Sequence, residues 1–270
     1  MENSKLELLK NLLREMDSVI VAYSGGADSS FLLKVAHDTL GDQCLAVTAT
    51  SETYPDEELS DATKVANLIG ANQRIITTVE LENEQFACNP VDRCYFCKSE
   101  LFGKLKQIAQ SEGFAFVLDG ANADDVQDYR PGMRAGRELG IRSPLKEAGF
   151  TKEEIRYFSR ELGLPTWNKP SLACLSSRIP YGERITIDKL EQVDQAEAFL
   201  RSLGFEQLRV RHHASIARIE IPREAFSALM DSHIDAIVVK MKVLGFTYVT
   251  LDLQGLRSGS MNEALEELLE

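Results

Sequence analysis

The sequence predicts an α/β fold, a doubly wound parallel sheet, followed by a smaller C-terminal α+β domain. Short apolar runs alternate with amphipathic stretches at a repeat of about 30 residues, the pattern of βαβ units. The first helical stretches each run into a glycine, Gly41, Gly70 or Gly113, as helices closed by a left-handed residue do. Beyond residue 182 the texture changes to helix, two adjacent strands, more helix and a last strand. The expected division is therefore residues 1–182 and 183–270.

Residues 1–16 read as an amphipathic helix, with Leu6, Leu8, Leu9, Leu12, Leu13 and Met16 as its apolar stripe. Residues 18–23 are a short apolar strand, 24–29 a glycine turn and 31–40 a helix. Strands are expected at 44–49, 74–79 and 114–119, and helices at 56–69 and 98–112. The polar stretch 121–142 is long enough to expect a functional loop. Thr151 followed three residues later by Glu154 is a capping box for a helix to about residue 162, which Gly163 and Pro165 end. Residues 168–182 read as irregular. The second domain is expected as a helix at 187–203, strands at 207–212 and 216–221, helix to 244, a strand at 247–253 and a Glu- and Leu-rich terminal helix.

The 270 residues are 44% hydrophobic and 27% charged, an ordinary globular composition. No apolar run approaches the roughly 20 residues of a membrane span, and residues 1–17 lack the pattern of a secretory signal. These features lead to the expectation of a cytoplasmic protein without membrane contact. A net charge of −12 disfavours a nucleic-acid partner, which would need clustered Lys and Arg, and favours a small anionic ligand held by a few arginines. Five cysteines without a signal argue against a disulfide framework. Cys44, in an apolar run, reads as a core residue and Cys88 as incidental.

Strand, then Ser24-Gly25-Gly26-Ala27-Asp28-Ser29, then helix, has a mechanical reading. Glycines let an anion approach the chain closely, and the helix start presents N–H groups and the positive end of its dipole. Ser24 and Ser29 add hydroxyls. Asp28 makes sense beside phosphate if Mg²⁺ lies between them. The Gly-x-x-x-x-Gly-Lys of the P-loop is absent. An ordinary strand-to-helix turn would not need all five of these residues.

Cys94-Tyr-Phe-Cys97-Lys98 opens a helix, where thiolates are favoured. The spacing suits a metal, an iron–sulfur cluster or a redox disulfide. Cys174 is a third thiol, in a loop before Ser176-Ser177-Arg178. Three cysteines would leave one iron of a cluster open, whereas structural zinc wants four ligands. In the second domain Arg209 and Arg211 alternate on one strand and share a face, while Arg257 lies in a glycine-flanked turn. Guanidinium groups of this kind bind phosphate bidentately; solvated surface arginines are the plainer alternative.

The glycine turn resembles that of the PP-loop ATP pyrophosphatases, which cleave ATP between the α and β phosphates and pass AMP to a substrate oxygen. That likeness implies that Ser24, Gly25, Gly26, Asp28 and Ser29 hold pyrophosphate. It also implies that adenosine lies across the strand ends, at Thr48, Ala49 and Thr50 of one strand and Asp119, Gly120 and Asn122 of another. Further segments narrow it: Leu118-Asp-Gly-Ala, Asp128-Tyr-Arg-Pro-Gly132, Trp167-Asn-Lys, Ser176-Ser-Arg-Ile-Pro-Tyr-Gly182, Leu208-Arg-Val-Arg-His212 and Tyr248-Val-Thr-Leu-Asp-Leu-Gln-Gly-Leu-Arg-Ser-Gly259. Over nearly the whole chain they resemble the LarE family, ATP-dependent sulfur transferases of nickel-pincer nucleotide biosynthesis. The resemblance implies adenylation of a carboxylate of pyridinium-3,5-biscarboxylic acid mononucleotide, then its replacement by sulfur. It further implies ATP, Mg²⁺ at Asp28, a [4Fe-4S] cluster on Cys94, Cys97 and Cys174, and a homo-oligomer, hexameric in the family. A second form of the family sacrifices a single cysteine and lacks the Cys-x-x-Cys; the offset of Cys174 from Ser-Ser-Arg differs from that cysteine's. Arg209, Arg211 and Arg257 match residues linked to the substrate phosphate, and Glu197 and Glu220 match acids near the site. Lys98 is expected to offset charge on AMP or substrate, and Ser177 and Arg178 to meet the AMP phosphate. A tRNA thiolase, an amidating ligase of the NAD synthetase kind and a non-catalytic nucleotide-binding regulator are the rival readings.

Overall fold

The computed structural model describes residues 2–127, 131–170, 173–257, 259–261 and 263. The chain divides into two compact units, residues 1–86 with 92–172, and residues 87–91 with 173–270. Residues 173–182 thus go with the second unit.

The first unit runs α1 (Glu2–Met16), β1 (Val19–Ala22), α2 (Ala27–Leu40), β2 (Cys44–Thr50), α3 (Asp56–Ile69), β3 (Asn72–Thr77), a short α4 (Glu84–Ala87), α5 (Arg93–Glu112), β4 (Phe116–Leu118), α6 (Pro131–Glu138), a short α7 (Pro144–Glu147) and α8 (Lys152–Glu161). Its four strands are all parallel in the order β3-β2-β1-β4. The α/β class expected from the alternating pattern is the one observed. Strand β1, Val-Ile-Val-Ala, is buried on both faces, which is why it reads as an unbroken apolar run. Side chains alternate across the sheet. Val19, Val21, Cys44 and Ala46 join the core under α1, α2, α3 and α8, while Ile20, Leu45 and Val47 join a second core with Phe102 and Leu105 of α5 and Ala135 of α6. The chain lays β2 and β3 on one side of β1 and returns to lay β4 on the other. The crevice beyond the carboxyl ends of β1 and β4 is therefore the switch point at which such sheets take ligands.

Three expectations shift. Strand β3 lies at Asn72–Thr77, two residues earlier than expected, because its register pairs Leu45 with Asn72 and Thr50 with Thr77. As an edge strand it lacks the apolar run that marks a central one. Helix α5 begins at Arg93, so Cys94 and Cys97 lie inside its first turns. The stretch 121–142 is not a loop throughout, since α6 starts on Pro131 and buries Ala135 and Gly136; residues 128–130 lie outside the described residues. The capping box before α8 is present, with Glu154 N donating to Thr151 Oγ1 at 3.3 Å and Thr151 N to Glu154 Oε2 at 2.9 Å.

The second unit contains α9 (Ile187–Ser202), β5 (Arg209–His213), β6 (Ile216–Glu220), α10 (Phe226–Ser232), α11 (Ile234–Val243) and β7 (Tyr248–Leu251). β5 and β6 are antiparallel, β6 and β7 parallel. Leu200, Val210, Ile219, Met241 and Phe246 are among its core residues. The expected terminal helix falls on residues 264–270, outside those described.

Candidate active site

Helix α2 starts directly from the glycine turn. Gly26 is its N-cap and no side chain caps it, so the first turn's N–H groups face the crevice without a competing hydroxyl or carboxylate cap. Gly25 adopts φ +71°, and a Cβ there would lie 2.6 Å from Cβ of Ala62 in α3. Only glycine meets both conditions. Gly120, just past β4, backs onto the same turn: a Cβ there would lie 3.1 Å from Ser29 N. The turn is thus walled by α3 on one side and the β4 exit on the other.

Within it Ser24 and Ser29 hydroxyls lie 3.1 Å apart, and Ser29 Oγ donates to Gly26 O at 3.3 Å. Asn122, fully buried, donates from Nδ2 to Asp28 Oδ2 at 3.1 Å, aligning a carboxylate at the mouth of the turn. Tyr54, in the loop after β2, donates to Ser24 O at 2.7 Å. Burial, then the neighbouring Glu58, holds its phenol well above the ordinary range, so it stays a donor. Thr48 at the end of β2 is buried, and its hydroxyl accepts from Gln73 Nε2 at 2.9 Å.

On α5, Cys94 is exposed and Cys97 half-buried. Cys97 Sγ lies 3.6 Å from Oε1 of Glu80, a carboxylate only 5% exposed that also accepts from Ser51 Oγ at 3.2 Å. Lys98 is exposed, with Nζ 5.5 Å from the Phe102 ring centroid. A Cβ at Gly132 of α6 would lie 2.9 Å from Cγ of Lys98, so the glycine makes room for the lysine stem. Among the described residues no three His, Cys, Asp or Glu side chains gather as a metal-binding group.

In the second unit Arg209 pairs across the ribbon with Glu220, and Arg211 with Arg218. Arg211 is buried; Nε and Nη2 donate to Glu220 Oε2 at 3.1 and 2.8 Å, and Nη1 to Ser177 O at 2.9 Å. Glu220 is fully buried and takes Arg218 Nη2 and Ser260 Oγ on its other oxygen, at 2.8 and 2.9 Å. Arg209 is half-buried and donates to the Leu208 carbonyl at 2.6 Å. Burial, then the like charges of Arg178 and Arg211, push its guanidinium down to about 10, against the opposing pull of Glu197 and Glu220. Arg257 pairs with Asp252 at 3.1 Å and Glu263 at 2.7 Å.

Cys174 is half-buried in the turn ahead of Arg178. Arg178 is 1% exposed and forks onto Glu197 at 2.8 and 2.9 Å. Burial alone would raise the Glu197 carboxyl, but Arg178 and the Val210 N–H hold it below the usual carboxylate range. Removing either partner would leave a buried charge unpaired, a loss of about 3–5 kcal/mol.

A family profile described as NAD synthase matches residues 3–89, the segment that holds β1, the glycine turn and α2. The chain is 47% identical to an uncharacterised protein of Synechocystis sp. over 98% of this chain and 99% of that one. It is 44% identical to the pyridinium-3,5-bisthiocarboxylic acid mononucleotide synthase of Lactiplantibacillus plantarum, over 97% of this chain and 95% of that one. An uncharacterised protein of Methanocaldococcus jannaschii is 31% identical over 94% of this chain and 98% of its own. The chain belongs to the family of the Lactiplantibacillus plantarum synthase. Both the glycine turn and the arginine ribbon lie within the span it shares with that relative.

Tyr54, Arg218 and Ser260 are site neighbours that sequence reasoning did not single out. Asn122 is expected from the sequence at the same strand exit as Gly120; the fold adds its hydrogen bond to Asp28. Arg218 is brought to Arg211 by cross-strand register, which local spacing does not reveal.

Proposed function

We propose that the chain is an AMP-forming sulfur transferase, converting a carboxylate of pyridinium-3,5-biscarboxylic acid mononucleotide to a thiocarboxylate. The observation that carries it is the glycine turn after β1, where a Cβ on Gly25 would strike Ala62, one on Gly120 would crowd Ser29 N, and α2 begins uncapped. The substrate follows the bisthiocarboxylic product in the name of the 44%-identical relative.

In this reading a substrate carboxylate oxygen attacks the α-phosphorus of ATP and the bond to the β-bridging oxygen breaks. The α2 amides with Ser24, Ser29, Gly25 and Gly26 take the departing pyrophosphate, and Thr48 and Gly120 flank the adenosine. A sulfur nucleophile then adds to the acyl carbon, the bond to AMP breaks, and AMP leaves where a bare oxide could not. Arg209 and Arg211, with Arg257, take the substrate phosphate, Glu220 and Glu197 orient the arginines, and Lys98 offsets developing charge. Asp28 fits Mg²⁺, because Asn122 fixes one of its oxygens at the mouth of the turn; the ion would neutralise phosphate charge there. Cys94 and Cys97, soft donors one turn apart, with Cys174 would hold a [4Fe-4S] cluster, whose chemistry when bound is to present a sulfide. The five free cysteines support a reducing, cytoplasmic setting. Exposed Val239 and Val243 of α11 and Tyr248 on the edge strand β7 support a homo-oligomer.

The test is an anaerobic assay with ATP, Mg²⁺ and the biscarboxylic mononucleotide, following nucleotides and thioacid by mass spectrometry, with iron and sulfide analysis of the same sample. AMP with thiocarboxylate is the expected result. Formation of ADP, or no thioacid, overturns the reading, and loss of one sulfur mass from Cys174 per turnover overturns the cluster as donor.

A further inference from the structure

Arg178 is too committed to serve as a phosphate ligand. Nε and Nη2 go to the two oxygens of Glu197, and Nη1 reaches Ala173 O at 2.6 Å, Cys174 O at 3.0 Å and Ser177 Oγ at 3.0 Å. Nη1 has more acceptors than hydrogens, and the group is 1% exposed. A nucleotide phosphate would have to break this set to reach it.

The same contacts define another task. The Cys174 carbonyl accepts from both Arg178 Nη1 and Ser177 N, the latter at 3.0 Å, so the backbone of the cysteine is fastened while its side chain stays half-exposed. Glu197, fully buried, carries the fastening onward. Its Oε1 also accepts from Val210 N at 3.0 Å, the amide between Arg209 and Arg211, and its Oε2 from Arg201 Nη2 at 3.1 Å. Arg211 Nη1 adds a second tie to Ser177 O. One carboxylate therefore links the thiol-bearing turn to the strand that presents the arginines.

We infer that Arg178 and Glu197 are positioning residues that set the Cys174 sulfur relative to the Arg209–Arg211 strand, and that neither contacts ATP. This rests on the reading of Cys174 as a residue of sulfur delivery. The pair fastens the cysteine-bearing turn and no group of the glycine turn, so it acts on the sulfur-transfer step, and Glu197 touches substrate binding only through the Arg209–Arg211 strand.

Arg178→Lys and Glu197→Gln are compared with wild type in two measurements. In the first, ATP–pyrophosphate exchange and thiocarboxylate are measured at saturating substrate, because AMP itself leaves only when sulfur adds. Exchange is expected within about twofold of wild type while thiocarboxylate falls by about tenfold or more, as small displacements of a reacting group do. Parallel loss of both, or a raised KM for ATP, overturns the inference and returns Arg178 to the nucleotide. The second needs no substrate. Iodoacetamide labelling of Cys174 is followed by mass spectrometry on the full chain purified without iron, with Cys97 of the other unit as reference. A change of about fivefold in the Cys174-to-Cys97 ratio is expected for Glu197→Gln on the same displacement argument; an unchanged ratio overturns the inference even if the substrate assignment fails. Binding of a non-hydrolysable ATP analogue checks folding. If both variants fail it, Arg201→Ala, which removes only the half-exposed partner of Glu197, carries both measurements with smaller shifts in the same direction, and no shift in either overturns the inference.

Discussion

In the first unit the turn after β1 offers an anion backbone amides, two hydroxyls and no Lys or Arg among residues 24–29. In the second unit three arginines share one face of a two-stranded ribbon, against the buried carboxylate of Glu220. Amide dipoles act only at close range, so the first solution demands empty space and hence glycine. Full charges act further but cannot be buried alone, so the second demands carboxylates and leaves only a surplus for the ligand. The first site fails when something is added; the second fails when something is removed.

The sharpest break of that contrast is at Asp28, the one charged side chain of the amide site. Asp28→Asn is expected to lower AMP formation by about 10³-fold, the scale of losing metal-assisted charge stabilisation, with thermal stability unchanged. A drop of less than tenfold would mean that the amides suffice. Gly120→Ala tests addition alone. Its methyl meets Ser29 N at 3.1 Å, and weakening of ATP binding by about 10²-fold is expected by calorimetry, roughly what one misplaced contact costs. Removal is tested by Arg209→Ala, which is expected to raise substrate KM by about 30-fold, near 2 kcal/mol for a charged hydrogen bond, while ATP binding holds. If ATP binding weakened equally, the two sites would not be separate.

Acid separates the units more gently. The Glu197 carboxyl sits below its ordinary value of 4.5 in the folded chain. Its stabilisation is complete above 4.5 and is lost as pH falls through the depressed native value. Hydrogen exchange should therefore show β5 opening in acid, and Glu197→Gln, less stable at neutral pH, should show a flatter acid limb. The smallest effect belongs to Thr151→Ala, which removes the cap of α8 and should cost about 1 kcal/mol in thermal unfolding without changing AMP formation.

Much of the first unit was legible because its signals are contiguous. Val19 to Ser29 spells out buried strand, tight turn and helix start in one run, and Thr151 with Glu154 does the same for α8. What was illegible depends on partners distant in the chain. Strand β3 slipped by two because an edge strand carries little apolar pattern. Helix α6 was hidden by Gly132 and Gly136, poor helix formers that earn their place by letting Lys98 and Phe102 of α5 pack close. Arg178 sits in a polar Ser-Ser-Arg run that suggests an available cation. Only the fold brings Glu197, nineteen positions on, to close over it.

Ala62 contributes nothing to chemistry, yet the Gly25 backbone rests against its methyl group. Helix α3 therefore acts as a template for the curvature of the glycine turn. Any bulkier side chain at that position would reshape the turn from behind, and its effect would register as altered nucleotide affinity. Screens for loss of activity in this chain will consequently recover substitutions at Ala62 of α3 alongside those in the turn itself.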